Sequence, residues 1–248
     1  MPIHIVHVDG RSLFRATTDH LGLALHQAIE EGVDLAGASL PGVDLRGADL
    51  EDVSLAGADL TGARLDGANV EDADLAKAKL DDASARGANF ENSSLAGASL
   101  ARANLDGSNF EGADLADAVL EGARAVRANF EHARLARVRA QGAVLTKANL
   151  EKCDLVESDF SRADLSGVNL ERCDLRDARL VEAVLAGANI ERADLRGADL
   201  SDADLSEAHL ERCDIDGACM EGAKVAGANM EKMRGRLRAR GESGPYRS

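Results

Sequence analysis

The sequence predicts an all-β fold: a quadrilateral parallel β-helix of about ten four-sided coils, closed at one end by a small N-terminal hairpin-plus-helix cap. Three observations predict it. From Val33 to Lys232 the chain runs through 40 five-residue units without an insertion; every position numbered in fives from Leu35 to Met230 is apolar, and every position two earlier is small. Inside the fives lies a period of 20, because Glu occupies positions 51, 71, 91 and so on to 231. The composition is also poor in rings, with one Tyr, five Phe and no Trp, which suits a stack of similar layers better than a globular core.

Residues 1–32 read as the cap. Residues 3–8 are rich in β-branched side chains and predict a strand, Asp9-Gly10 a turn, and Leu13-Phe14 the start of a return strand. Thr18 or Asp19 is placed to cap a helix that runs to about Glu31, with Leu21, Leu25, Ala28 and Ile29 on one face and Gly32 as its stop. Such a cap covers the first layer of a stacked sheet, whose open edge invites aggregation.

Residues 33–232 form the repeat. The small and the large apolar residue of each unit lie two apart, so an extended backbone points both inward and the residue between them outward. That outward residue is Asp or Asn in 23 of 40 units, types that hydrogen-bond nearby backbone in tight turns. Gly recurs two residues past the large apolar position, as at Gly37, Gly47 and Gly57, and permits a sharp corner. Four units per turn follow from the Glu spacing, and from Cys153, Cys173 and Cys213 and Phe90, Phe110 and Phe130, each set sharing one register. At ~4.8 Å per layer the body is on the order of 48 Å long. Ala85 beside Phe90 and Ala125 beside Phe130 balance core volume, whereas Phe110 has no evident counterpart. Residues 233–248 read as a basic, disordered tail.

Units such as Ala48-Asp49-Leu50-Glu51-Asp52 and Ala198-Asp199-Leu200-Ser201-Asp202 resemble the pentapeptide repeat family over about four-fifths of the chain. The resemblance implies a right-handed quadrilateral β-helix. Some bacterial members of that family are acidic, dimeric, DNA-mimicking rods that bind DNA gyrase or topoisomerase IV and confer fluoroquinolone resistance or self-immunity. This chain departs from them. No loop projects from its array, its C-terminus is polar and Arg-rich where theirs carries an apolar dimerising helix, and its opening hairpin and helix match nothing in them. The alternative is a scaffold or accessory protein whose partner is unrelated to DNA enzymes.

Charge narrows the partner class. The net charge is −15, and residues 33–232 hold 39 acids against 22 Lys and Arg, which argues against direct binding of nucleic acid or an anionic membrane and for a protein partner. A DNA rod of ~48 Å would carry roughly 28 phosphates, against the 17 net negative charges of the repeat. The sequence holds no apolar run of spanning length and no basic start followed by an apolar stretch, and its four Cys lack paired spacing, so a reducing cytoplasm is expected. In the Glu register, bases follow in the second half (Lys152, Arg172, Arg192, Arg212, Lys232) but not in the first (Asp52, Asp72, Asn92, Gly112, His132). The candidate docking face is therefore Glu51, Asp52, Glu71, Asp72 and Glu91, weighed against a merely solvated surface. The Met-rich final layer, with Met220, Val225, Met230 and Met233, is the candidate contact for a homodimer, weighed against a simple end cap. Cys219, at an outward position, is the better candidate for a reactive thiol. No nucleophile, base and orienting partner converge, the lid His residues lack zinc spacing, and no phosphate loop occurs, so neither catalysis, cofactor nor metal is expected.

Overall fold

The computed structural model describes residues 3–18 and 20–239. Strand β1 (His4–Val6) pairs antiparallel with β2 (Ser12–Arg15), with Ile5 opposite Phe14 and a bulge between Ile5 and Val6. Helix α1 (Leu21–Glu30) follows. Its N-cap is His20, which makes no side-chain cap bond. The Thr18 hydroxyl instead accepts the His20 amide at 3.2 Å, one step before the helix; Asp19, the other expected cap, lies outside the described residues. Gly32 ends the helix at φ +68°, where the missing Cβ removes the penalty of a left-handed residue. Ala24, Leu25 and Ala28 are buried, Leu21 and Ile29 pack partly, and Leu23 points out.

Beyond Val33 the chain coils with a repeat of 20 residues. Parallel bridges pair Ser39 with Asp59, Asp59 with Lys79, and so on to Asp214 with Arg234, in four columns. The ladder has a fixed logic at each unit: Leu50 N donates to Asn69 O of the next coil at 2.7 Å, while Asn69 N donates back to Ala48 O at 2.9 Å. Between bridges the chain turns in four residues, as where Ala38 N donates to Leu35 O at 2.9 Å. The third residue of each such turn needs positive φ. Glycine meets that at Gly37 and Gly47, but Asp, Lys, Arg, Glu, Asn and His adopt it at many other corners, including Asp52 (φ 58°), Asp72 (53°) and Arg172 (59°). The turn closes because the outward carboxylate or amide holds the backbone two residues on, as Asp74 Oδ1 accepts from Ala76 N at 2.9 Å.

Apolar side chains fill the axis. The Leu column is buried from Leu35 to Leu210, with small residues such as Ala58 and Ala98 beside it. Phe110 has two partners after all: it stacks between Phe90 and Phe130 at centroid distances of 4.7 and 4.8 Å, so the rings fill space along the axis, layer upon layer, rather than across one. Residues 233–239 do not behave as a tail. Arg234 N donates to Cys213 O at 3.0 Å and Arg238 N to Ala218 O at 2.9 Å, because the ladder offers unpaired acceptors that a disordered chain would leave unused. Residues 240–248 lie outside the described part.

One end of the coil is covered. The end of β1 and the residues after it lie against the first coil, with Val8 N bonded to Gly37 O and Ser39 N to Val6 O, while Ala24, Leu25 and Ala28 of α1 belong to the same core as Leu35 and Leu40. At Gly37 a Cβ would sit 2.0 Å from His7 Nε2, so a side chain there would have to displace that ring. Among the described residues no helix is long and apolar enough to cross a membrane.

Candidate functional site: a carboxylate edge

The Glu column occupies one corner of the coil, at the first central residue of each turn. Successive members belong to successive coils: Asp52 N donates to Glu71 O at 3.1 Å and Asp72 N to Glu91 O at 3.0 Å. Glu51, Asp52 and Asp72 are exposed and Glu71 and Glu91 half-buried, so the five candidate docking residues share one edge. Glu51 and Asp52 also line a shallow groove with Ile29, Gly32 and Asp34, where the end of α1 meets the coil.

A column of carboxylates one layer apart repels itself, and a feature absent from the sequence reading offsets it. Asn occupies seven successive layers from Asn69 to Asn189, two positions before each Glu. Each amide donates to the carbonyl of the preceding one, Asn109 Nδ2 to Asn89 Oδ1 and Asn129 Nδ2 to Asn109 Oδ1, both at 3.0 Å. The same Nδ2 reaches a carboxylate of the layer before, from Asn89 to Glu71 at 3.1 Å and from Asn109 to Glu91 at 3.2 Å. From Asn89 to Asn189 each Asn Oδ1 in turn accepts the amide of its own layer's Glu, as at Glu111 (3.3 Å). The ladder positions the carboxylates from below and from behind. Its signal in the sequence is the same 20-residue spacing that marks the Glu column, at a position that Asn shares with Asp as a turn former. It breaks where Asp49 and His209 stand in the Asn register.

The two halves of the edge differ in how their charge is matched. Lys152 lies 3.0 Å from Glu151 and 3.3 Å from Glu131, Arg172 lies 3.5 Å from Glu171, and Arg192 lies 3.7 Å from Glu171. The hydrogen bond from Lys152, with its charge, holds the Glu151 carboxyl below its ordinary pKa. Asp52 and Asp72 have no ion partner among the described residues. Elsewhere charges pair across layers, as Arg102 with Asp82 and Arg137 with Asp117, both at 2.7 Å. At the first layers Arg46 clamps Asp44, whose pKa its hydrogen bonds bring down to about 2.

The candidate dimer contact is brought together at the other end. Met220, Met230 and Met233 are half-buried, and Val225 and Leu237 are 42% and 50% exposed although Val225 occupies an inward register, because no further layer among the described residues covers it. The backbone amides of Gly222, Val225, Gly227 and Met230 have no acceptor among the described residues.

Cys219 corrects an expectation. Its outward position is wholly buried, with Sγ 3.2 Å from Ser201 Oγ, since the layer above folds over it. Cys153, Cys173 and Cys213 lie inside, their thiols directed at the carbonyls of Phe130, Leu150 and Ile190. Burial pushes the Cys213 thiol up to about 11. Among the described residues no group of three or more His, Cys, Asp or Glu is placed to hold a metal.

The model of the family described as pentapeptide repeats matches residues 31–67, 54–92, 93–131, 126–162, 163–202 and 193–231. Among solved structures, HetL, a pentapeptide repeat protein involved in heterocyst differentiation regulation from the cyanobacterium Nostoc sp. strain PCC 7120, superimposes with a TM-score of 0.70 at 26% identity, covering 85% of this chain and 93% of HetL. Rfr23 from the cyanobacterium Cyanothece 51142 is 33% identical over 40% of this chain and 64% of its own, with a TM-score of 0.30. Trypsin-treated QnrB1, a plasmid-mediated fluoroquinolone resistance protein, is 22% identical over 77% of this chain and 92% of its own, with a TM-score of 0.38. Superpositions as slight as the last two carry no argument about function. No curated protein matches the sequence.

Proposed function

Because the chain belongs to the pentapeptide repeat family of right-handed β-helices, we propose that it acts without catalysis, as a rigid rod that binds another protein. The docking surface is the N-terminal half of the carboxylate edge: Glu51, Asp52, Glu71, Asp72 and Glu91. One observation carries the proposal. Carboxylates recur at a constant step along a rigid edge, the asparagine ladder orients them, and the outermost ones have no cation among the described residues to neutralise them.

A surface of this kind fits a basic, DNA-binding face of a protein, with the carboxylates standing where phosphates would lie. DNA gyrase and topoisomerase IV are the partners to test first, and the support for them is charge and shape alone. The test is a supercoiling assay with purified gyrase. The expected outcome is inhibition by the intact protein at micromolar concentration, and its loss when Glu51, Asp52, Glu71 and Asp72 all become Lys. Full activity of gyrase in the presence of the rod would remove that partner.

The covered N-terminal end favours a second reading, an accessory protein anchored through its lid. HetL, similar over most of its length, is described as involved in heterocyst differentiation regulation. A pull-down with full-length protein and with a chain lacking residues 1–31 separates the readings, since the edge survives the deletion and a lid-anchored partner does not.

A further inference from the structure

The third residue of each turn along the same edge carries a second pattern, and it is polar along the rod. Reading one residue per coil, the edge runs Asp52, Asp72, Asn92, Gly112, His132, then Lys152, Arg172, Arg192, Arg212, Lys232. Acidic and neutral residues fill the first five layers and bases the last five. All ten adopt left-handed backbone conformations, with φ between 53° and 66°, so they leave the corner in one direction. All are exposed except Lys152, which is half-buried. In the middle, Lys152, Arg172 and Arg192 find glutamates of their own chain. At the extremes, Asp52, Asp72, Arg212 and Lys232 find no ion partner among the described residues.

These four charges cannot meet within one chain. Asp72 and Arg212 stand seven layers apart and Asp52 and Lys232 nine, roughly 34 and 43 Å along the axis. We propose that they meet between two copies of the chain lying edge to edge in opposite directions, about a two-fold axis between the layers of His132 and Lys152. That axis sets Asp52 against Lys232 and Asp72 against Arg212, each pair twice, and Arg172 and Arg192 against the uncharged Gly112 and Asn92. The constant layer step keeps all four ion pairs in register at once. The reverse, parallel arrangement sets Asp on Asp and Arg on Arg. The glutamate column lies deeper at most layers, Glu171 being 27% exposed where Arg172 is 49%, while Glu51, Glu111 and Glu231 are exposed and reduce the attraction at their own layers.

The pairing is weak and reversible by nature, since exposed ion pairs are screened by salt and hold long side chains in place. It buries the acidic half of the edge, so it is a self-masking state that a basic partner must displace. It goes beyond the partner reading and needs no second protein, so its failure leaves that reading standing.

Sedimentation velocity of the full-length protein tests it. Wild type is expected to shift towards dimer with concentration at about 50 mM salt and to be monomeric at about 500 mM. Asp52→Lys with Asp72→Arg should lower the association constant at least about tenfold, and so should Arg212→Asp with Lys232→Asp. Mixing these two variants restores all four pairs and should restore association. Register is checked with paired cysteines: Asp72→Cys with Arg212→Cys should cross-link two chains on mild oxidation, and Asp72→Cys with Arg172→Cys should not. A wild type monomeric at low salt overturns the proposal, as does cross-linking indifferent to register or a mixture that fails to associate.

Discussion

A buried thiol illustrates how completely residue position decides chemistry in this fold. Cys213 lies on the inner column, donates to Ile190 O at 2.9 Å, and is pushed up to about 11 by desolvation of its thiolate. In an unfolded chain the same thiol loses its proton near 8.5. The unfolded state therefore binds fewer protons between those values, and stability falls as pH rises through that window while the thiol contributes fully below it. Folded protein at pH 8 should leave all four cysteines unmodified by a thiol reagent over an hour, and denatured protein should react at all four. Fast modification of Cys219 in the native state would restore it as the reactive site that its outward register first suggested. Register alone misled there because Cys219 is a small side chain with a layer folded over it, while Arg139 and Arg179 in the same column are long enough to emerge.

Among the elements, the asparagine ladder has the most to lose from one substitution. Asn109 donates to Asn89 and Glu91 and accepts from Asn129 and the Glu111 amide. Asn109→Asp keeps the acceptors, removes both donors, and sets a third carboxylate beside Glu91 and Glu111. The expected cost is about 1–3 kcal/mol, read as a lower urea midpoint, and Asp49→Asn at the end of the ladder should be neutral or stabilising. An unchanged midpoint for Asn109→Asp would show the ladder to be ornamental. This element also marks the limit of what the sequence discloses. The inward columns, the 20-residue step and the edge position of Glu71 and Glu91 were legible because burial and stacking impose a strict period. The ladder was hidden by treating Asn and Asp as equivalent turn formers, which they are locally; they differ only when stacked, since an amide both donates and accepts and a carboxylate only accepts. The corners hid likewise, because charged residues there adopt positive φ as glycine does. The order of residues 233–239 was invisible in composition, as backbone pairing asks nothing of the side chain.

At the scale of the molecule, the bridges between each residue and the one 20 further on make the chain behave like text set in lines of fixed width. Deleting one whole line, for instance residues 93–112, should leave a folded rod shorter by ~4.8 Å with every column still aligned. Deleting a single unit such as 113–117 should also fold, since any unit can follow any other. It would carry everything downstream round by a quarter turn, so that Arg172 and Arg212 sit on a different side from Asp52 and Asp72. Both deletions should give similar circular dichroism and solubility, yet only the first should keep a continuous stripe, scored by whether cysteines placed at 72 and 132 still report the same side of the rod by spin-label distance. A fold with this property lets evolution lengthen the molecule in whole lines without touching what is written in the margin, and lets it re-address half the surface with a change of five residues.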